Sequence, residues 1–322
     1  MRALSHCLIA AAALFSVPSF AQTFPDKPVH VIHGVPAGGT TDLTVRVVAE
    51  QLQKKWGQPV VVEARPGAFT KIAYSYVAQS APDGYTLYFG ADQVIPNSIV
   101  FENRMDYDVA KEFTVLAPTA KVVFVLWASN SLPVSSVGEL IEYMKKNPGQ
   151  LNVGDTAPNG IIGLAMALVG KQAGAAYKSV PYKGTGPVYV DLVPGRVDVT
   201  FDAYAGPVAS LYQAGKVKPL GVSSKQRLSN LPNVPAIAET VPGYDLSIWL
   251  GFWGPAGMPP ALADRLSRDL GDASKSSEAV AQITKIGLEP MSGTRAQMEA
   301  ENKRSTQLWQ SAVREFGFKG SY

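Results

Sequence analysis

One cysteine, Cys7, occurs in 322 residues. That excludes an intrachain disulfide framework, a cysteine-built zinc cluster and, past the first few residues, a cysteine nucleophile. Histidine is nearly as scarce, with His6, His30 and His33 only. There is no G-x-S-x-G elbow and no Walker A run, and Gly184-Thr185-Gly186 is followed by Pro187 without the third glycine of a dinucleotide fingerprint. Asp106 and Asp108 have no third or fourth oxygen ligand nearby in the sequence, so they read as a solvated loop and no metal is expected. The 29 Lys and Arg against 26 Asp and Glu, with no dense basic run, argue against a nucleic-acid partner. No apolar stretch after the first twenty residues is long enough to span a bilayer as a helix. No catalytic constellation and no cofactor motif is visible, so an enzyme is not expected.

At the amino end, Arg2 and His6 form a short polar segment, Cys7 to Val17 an apolar one, and Ser19-Phe20-Ala21 a small-x-small cleavage site. This order predicts a signal peptide over 1–21, cleavage after Ala21, a mature chain starting at Gln22, and export. About 300 remaining residues suit two domains. Hydrophobic residues at 46% and charged at 17% describe an ordinary globular protein.

The chain alternates strand and helix signals, which predicts an α/β fold with mainly parallel sheets flanked by helices. Its organising stretch is Pro28 to Trp56: an apolar strand to Val35, a small-residue loop Pro36-Ala37-Gly38-Gly39-Thr40, then a helix with Val45, Val48, Leu52 and Trp56 on one face. Thr40 or Thr41 is the expected N-cap. Glycines leave the backbone open to a ligand, and a helix start offers N–H groups and a positive dipole end, so this corner is built to receive an anion. The same order recurs mid-chain, with a strand at Leu151–Gly154, a small polar loop Thr156–Gly160 and an apolar helix from Ile161. Val94 to Lys111 lacks a period and reads as loop. Phe113 to Ala128 reads as two strands or one crossing strand. Ser135 is the expected cap of a helix ending at Lys146, and three helices close the chain near 261–275, 277–286 and 294–316. His30 and His33, three apart on a strand, cannot share a face and are expected to be satisfied structural histidines.

Ordered runs along the whole mature chain carry a family resemblance. They are F-P-D-K-P-V at Phe24–Val29, P-A-G-G-T-T-D at Pro36–Asp42, V-V-E-A-R-P-G-A at Val61–Ala68 and A-P-D-G-Y-T-L at Ala81–Leu87. They continue with N-P-G-Q-L-N-V-G at Asn147–Gly154, V-P-Y-K-G-T-G-P at Val180–Pro187, L-P-N-V-P at Leu231–Pro235 and G-F-W-G-P-A-G-M-P at Gly251–Pro259. Each is weak alone, but the ordered set resembles the periplasmic solute receptors of tripartite tricarboxylate transporters, the Bug or TctC-like family.

The resemblance implies a two-domain periplasmic-binding-protein (Venus-flytrap) fold. It places residues 22–125 and 246–322 in domain 1 and 126–245 in domain 2, with crossings near Val125 and Asp245. It implies a monomeric receptor in the periplasm that holds a small organic carboxylate between the domains and hands it to membrane subunits. The implied ligand-binding residues are Pro36, Ala37, Gly38, Gly39 and Thr40, then Asp155, Thr156, Asn159 and Gly160, with Asp202 at the end of a later strand. Asp202 serves equally as a cap for the next helix. Asp42 also matches the family, but its charge would oppose an anion, so it is expected to brace the loop. Two departures bear on the ligand. Gly160 and Gly163 stand where the family usually has Ser or Thr and His. Phe69-Thr70 stand where R-P-G-A continues as G-G. Less polarity in domain 2 and a ring at Phe69 point to an aromatic carboxylate. The competing readings are a secreted α/β enzyme and a receptor of the same fold that feeds a signalling protein.

Overall fold

The computed structural model describes residues 24–92, 109–156 and 160–317, with backbone alone at 69, 109 and 110. The amino-terminal leader, most of the expected 94–111 loop, Asp106, Asp108 and Asn159 lie outside the described residues.

The first half starts with strand β1 (Val29–His33), helix α1 (Thr40–Trp56) and strand β2 (Val60–Ala64). A 3-10 turn (Ala68–Thr70), helix α2 (Lys71–Ala78) and strand β3 (Thr86–Ala91) follow. β1 is the central strand, with β2 and β3 parallel to it on either side. Burial on both faces explains why β1 is an apolar run rather than an alternation. Val45, Val48 and Leu52 of α1 are fully buried against Val31, Leu87 and Phe252, as the helical spacing requires.

A one-turn helix α3 (Val109–Glu112) leads into the 17-residue strand β4 (Phe113–Ser129). Of the two sequence readings, the single crossing strand is the one observed. From Phe113 to Val123 β4 pairs antiparallel with β9 (Ser247–Pro255). From Phe124 onward it pairs antiparallel with β7 (Val199–Ala203) and, on its other edge, with β8 (Val217–Val222). Pro118 is tolerated within it because the register to β9 shifts there.

The second half repeats the first. Helix α4 (Val137–Lys146) precedes β5 (Asn152–Asp155), α5 (Ile161–Ala173), β6 (Lys178–Pro181), α6 (Thr185–Leu192), β7, α7 (Gly206–Gln213) and β8. β5 is again central, parallel to β6 and β7. Each half is therefore a parallel trio extended by antiparallel strands. The cap of α4 is Ser136, whose Oγ accepts from Glu139 N–H at 3.1 Å. The expected cap Ser135 instead donates its N–H to the Glu139 carboxylate, so the pair forms the two arms of one capping arrangement.

Helices α8 (Pro260–Lys275) and α9 (Ser277–Ile286) return to the first half, and a two-residue strand β10 (Glu289–Pro290) pairs with β4. Helix α10 (Arg295–Phe316), capped by Thr294 and Gln297, belongs to both halves. Met298 packs with Tyr88, Trp249 and Trp253 in the first, while Trp309 and Ala312 enter the core formed by Leu126, Leu164 and Phe201 in the second. Among the described residues no helix is long and apolar enough to cross a membrane.

Candidate ligand-binding site

Strand direction fixes where the corners point. β3 is parallel to β1 and antiparallel to β9, which is antiparallel to β4, so β1, β3 and β4 run the same way. The carboxyl ends of the first trio thus point along β4 toward Phe124. In the second half, β7 runs against β4 with Ala203 opposite Phe124, and β5 and β6 follow β7. The carboxyl ends of the second trio point back toward the same place. Ligands of α/β sheets bind outside the carboxyl ends of strands. Here two such edges converge where one strand passes between the halves.

At the first corner Pro36, Ala37, Gly38, Gly39 and Thr40 are all exposed. α1 begins at Thr40, and its N-cap is Gly39 with no side-chain cap bond, so the expected capping by Thr40 or Thr41 does not occur. Thr40 instead accepts the Thr44 hydroxyl at its carbonyl, 2.7 Å away. The first intrahelical bond is Leu43 N–H to Gly39 O, which leaves the N–H groups of Thr40, Thr41 and Asp42 without a partner inside the helix.

Beneath the exposed loop lies a buried charge arrangement. Asp42 accepts from Gly38 N–H at 2.9 Å, from His33 Nε2 at 2.9 Å and from the Arg46 guanidinium at 2.9–3.1 Å. The Arg46 bonds, with help from Gly38, hold the Asp42 carboxyl down at about 2 against the opposing effect of burial. Burial lowers His33, and its Asp42 bond only partly offsets this. Asp42 is thus the loop's brace, as its position in the first helical turn suggests. His33 is a structural partner, and His30 is held on the surface by Glu63 at 2.6 Å.

The turn after β2 leans on this corner. Arg65 stacks over the Tyr76 ring at 3.6 Å and donates to Glu63 at 3.1 Å. Thr70 packs directly on Gly34, where an added Cβ would meet Thr70 Cβ at 2.5 Å. The backbone of Phe69 lies in the 3-10 turn; its side chain is outside the described residues.

At the second corner Asp155 ends β5 and is buried, with Ser179 Oγ donating to its carboxylate at 3.1 Å and Tyr182 N–H to its carbonyl at 2.9 Å. Thr156 is half-buried, and Gly160 is the N-cap of α5 without a side-chain cap bond. Asp202 does not cap α7, whose N-cap is Ala205. Its carboxylate accepts from Ala203 N–H at 2.8 Å and from the Tyr189 hydroxyl, and its carbonyl accepts from Trp127 Nε1 at 3.1 Å. Burial raises the Asp202 carboxyl, and burial beside Asp202 raises the Tyr189 phenol.

The structure therefore sets the first-corner residues together on one loop and places Asp155, Thr156, Gly160 and Asp202 on the facing edge. A separate cavity of about 530 Å³, lined by Lys225, Tyr244, Asp245 and Arg304 among others, includes none of them. Sequence reasoning missed Arg46 and Tyr189 and, though it expected His33 as a structural histidine, did not foresee Asp42 as its partner. Arg46 was readable as an Asp–Arg pair four residues apart on a helix. His33 and Tyr189 meet their partners through the fold and left no local sign.

Comparison with known proteins gives one consistent result. Residues 44–317 match the model of the tripartite tricarboxylate transporter family receptor, TctC. Protein BugT of Bordetella pertussis is 31% identical over 96% of this chain and 95% of its own length. A protein encoded in the tcbD-tcbE intergenic region of Pseudomonas sp. strain P51 is 30% identical over 92% of this chain and 88% of its own. Among solved structures, an R. palustris protein with adipate shares 32% identity over 92% of this chain and 99% of its own, with a TM-score of 0.76. MatC from Rhodopseudomonas palustris with bound malate shares 26% identity over 90% and 100%, with a TM-score of 0.71.

Proposed function

The chain belongs to the tripartite tricarboxylate transporter receptor family, and from that premise we propose that it captures a small organic acid between its two halves for delivery to the membrane subunits of such a transporter. The observation that carries this is the convergence of two strand–turn–helix corners on the crossing of β4, one of them already braced from below by Asp42. Pro36 to Thr40 would take one carboxylate on backbone N–H groups, each charge-assisted bond contributing about 1.5–3 kcal/mol before desolvation. Thr156, Gly160 and the Asp202–Tyr189 pair would face the rest of the molecule. The division into residues 22–125 with 246–322 and 126–245, with α10 spanning both, would let ligand draw the halves together. Export after cleavage at Ala21, a monomeric state and the absence of catalysis belong to the same reading.

The adipate and malate held by structural neighbours make aliphatic diacids the first ligands to test. Gly160, Gly163 and Phe69 favour a flatter, less polar acid, so an aromatic carboxylate is the expected preference. A thermal-shift series with adipate, malate, citrate, benzoate and terephthalate on the mature chain tests both. Ligand at 100 times Kd should stabilise by about 2.7 kcal/mol, a rise of roughly 5 °C, without product formation. No saturable shift with any acid, or conversion of one, would refute the receptor reading. A tighter fit for citrate or adipate than for the aromatic acids would refute only the aromatic preference.

A further inference from the structure

Two residues other than glycine have positive φ among the described residues, Ala68 at 47° and Thr70 at 72°, and they bracket Phe69. For a β-branched residue this backbone is disfavoured, because Cβ crowds the following carbonyl. It persists where the surroundings over-determine it. A helix cap is not what holds Thr70. The residue stands at the N-cap of α2, yet its backbone is left-handed and its hydroxyl accepts no cap bond.

Its neighbours hold it instead. On one side is Gly34, the first residue after β1, where a methyl group would lie 2.5 Å from Thr70 Cβ, 2.8 Å from its Cα and 2.9 Å from its Cγ2. On the other is the buried phenol of Tyr88, near the Thr70 hydroxyl, which is itself buried without a hydrogen-bond partner among the described residues; the phenol overlies Gly90, where a methyl would come within 2.5 Å of its oxygen. Thr70 is seated between the start of the first corner and the buried aromatic layer. Each contact exists because a glycine opposite leaves room for it.

We propose that Thr70 is a specificity-positioning residue of the ligand site. Seated on Gly34, it fixes the 65–70 turn relative to the Pro36–Thr40 loop, so that an acid whose carboxylate is on that loop meets a preset wall for its other end. Glycine at 70 would adopt the same φ without strain and hold nothing, so the turn would adapt to acids of different shape. This rests on the receptor reading above.

The test is titration calorimetry of the full mature chain, wild type against Thr70→Gly and Thr70→Asn, with adipate, malate, benzoate and terephthalate. Thr70→Gly relieves the backbone strain and should fold with an unchanged or higher Tm. The ratio between its tightest and weakest acid should fall about tenfold from the wild-type ratio. Thr70→Asn, which tolerates the left-handed region and refills the space, should keep most of that ratio. A role in folding alone would move Tm without changing the ranking. If Thr70→Gly folds and keeps the wild-type affinities for all four acids, the positioning role is overturned while the receptor reading stands. If the wild type binds none of them, both fall.

Discussion

Gly39→Asp separates folding from binding because its two effects have opposite signs. Gly39 is the N-cap of α1, at φ −77° and ψ 170°, an extended backbone open to any residue. A side chain there meets nothing nearer than Pro36 O at 3.6 Å. The cap is empty, so a carboxylate at this place would bond to helix N–H groups and complement the dipole, stabilising by about 0.5–1 kcal/mol. In a chain of this size that raises Tm by roughly 1–2 °C. For a bound organic anion the change is unfavourable twice. The new carboxylate occupies donors the ligand would use, losing about 1.5–3 kcal/mol. It also repels each ligand charge by about 1.5–2 kcal/mol at roughly 5 Å and an effective dielectric near 40. Even partly offset, these total about 3 kcal/mol, or about 100-fold weaker binding. Gly39→Asn is the control: it caps comparably without charge and should weaken binding by only about tenfold. The gap between the two variants should shrink in high salt. The assay is Tm by calorimetry beside affinity for the acid that stabilises the wild type most. A Gly39→Asp chain that melts higher yet binds that acid as tightly as wild type would refute the placement of the anion on this corner.

Two other substitutions test the buried charges. Asp42→Asn should destabilise by about 2 kcal/mol at pH 7, a fall of roughly 4 °C, since a carboxyl held at about 2 contributes stability above its unfolded value near 3.8 and loses it as pH falls toward 2. The difference in Tm between wild type and variant should vanish by about pH 2, and a gap that persists there would assign the effect to shape rather than charge. Asp92→Asn should act oppositely: burial pushes the Asp92 carboxyl up to about 8, and its Oδ1 accepts the Trp249 N–H at 3.2 Å, which an amide oxygen can also do. Wild-type stability from this group is present at low pH and lost as pH rises through about 8, so the variant should melt several degrees higher than wild type at pH 8 and no higher at pH 4. A lower Tm at pH 8 would show that the ionised form is the one the fold uses.

The parts of the fold written in the sequence are those with local causes. β1 and α1 follow from an apolar run, a glycine-containing corner and a helical stripe, and the closing helices from their caps and periodicity. The crossing strand was ambiguous because Pro118 and Lys121 interrupt its pattern. Tertiary pairing decided it, with Lys121 opposite both Trp249 and Glu289, and a register shift accommodating the proline. Caps were misplaced at both helices with paired hydroxyl residues at their start. At Ser135-Ser136 either neighbour suits the chemistry and the cap falls on the second, whereas at Thr40-Thr41 it falls on neither but on the preceding Gly39, which has no side chain to cap with. The site was legible in its first corner and less so elsewhere. Asp42 and Arg46 are helix neighbours, whereas Asp202 gains its role only when α6 brings Tyr189 against β7.

The two corners also differ in how they are built, and that difference bears on how the proposed receptor would discriminate among acids. The first rests on a buried carboxylate that is held by a histidine and an arginine and itself accepts the Gly38 N–H from below. Ordering a free residue costs about 1–2 kcal/mol, so a loop anchored before the ligand arrives spares the binding energy that a mobile one would consume. The second opens an almost wholly apolar, buried helix, with glycine at its N-cap and again at Gly163. It has no comparable charged brace in its first turn, and no side-chain hydroxyl or imidazole at these two places. A carboxylate shared between them would settle on the braced side, where its donors are already aimed. The second corner, together with the 65–70 turn that Thr70 seats beside the first, would then judge the remainder of the molecule by shape and apolar contact. Affinity for acids as a class and preference among them would thus reside in different parts of the site, which is why Gly39→Asp should weaken every acid alike while Thr70→Gly narrows the differences among them.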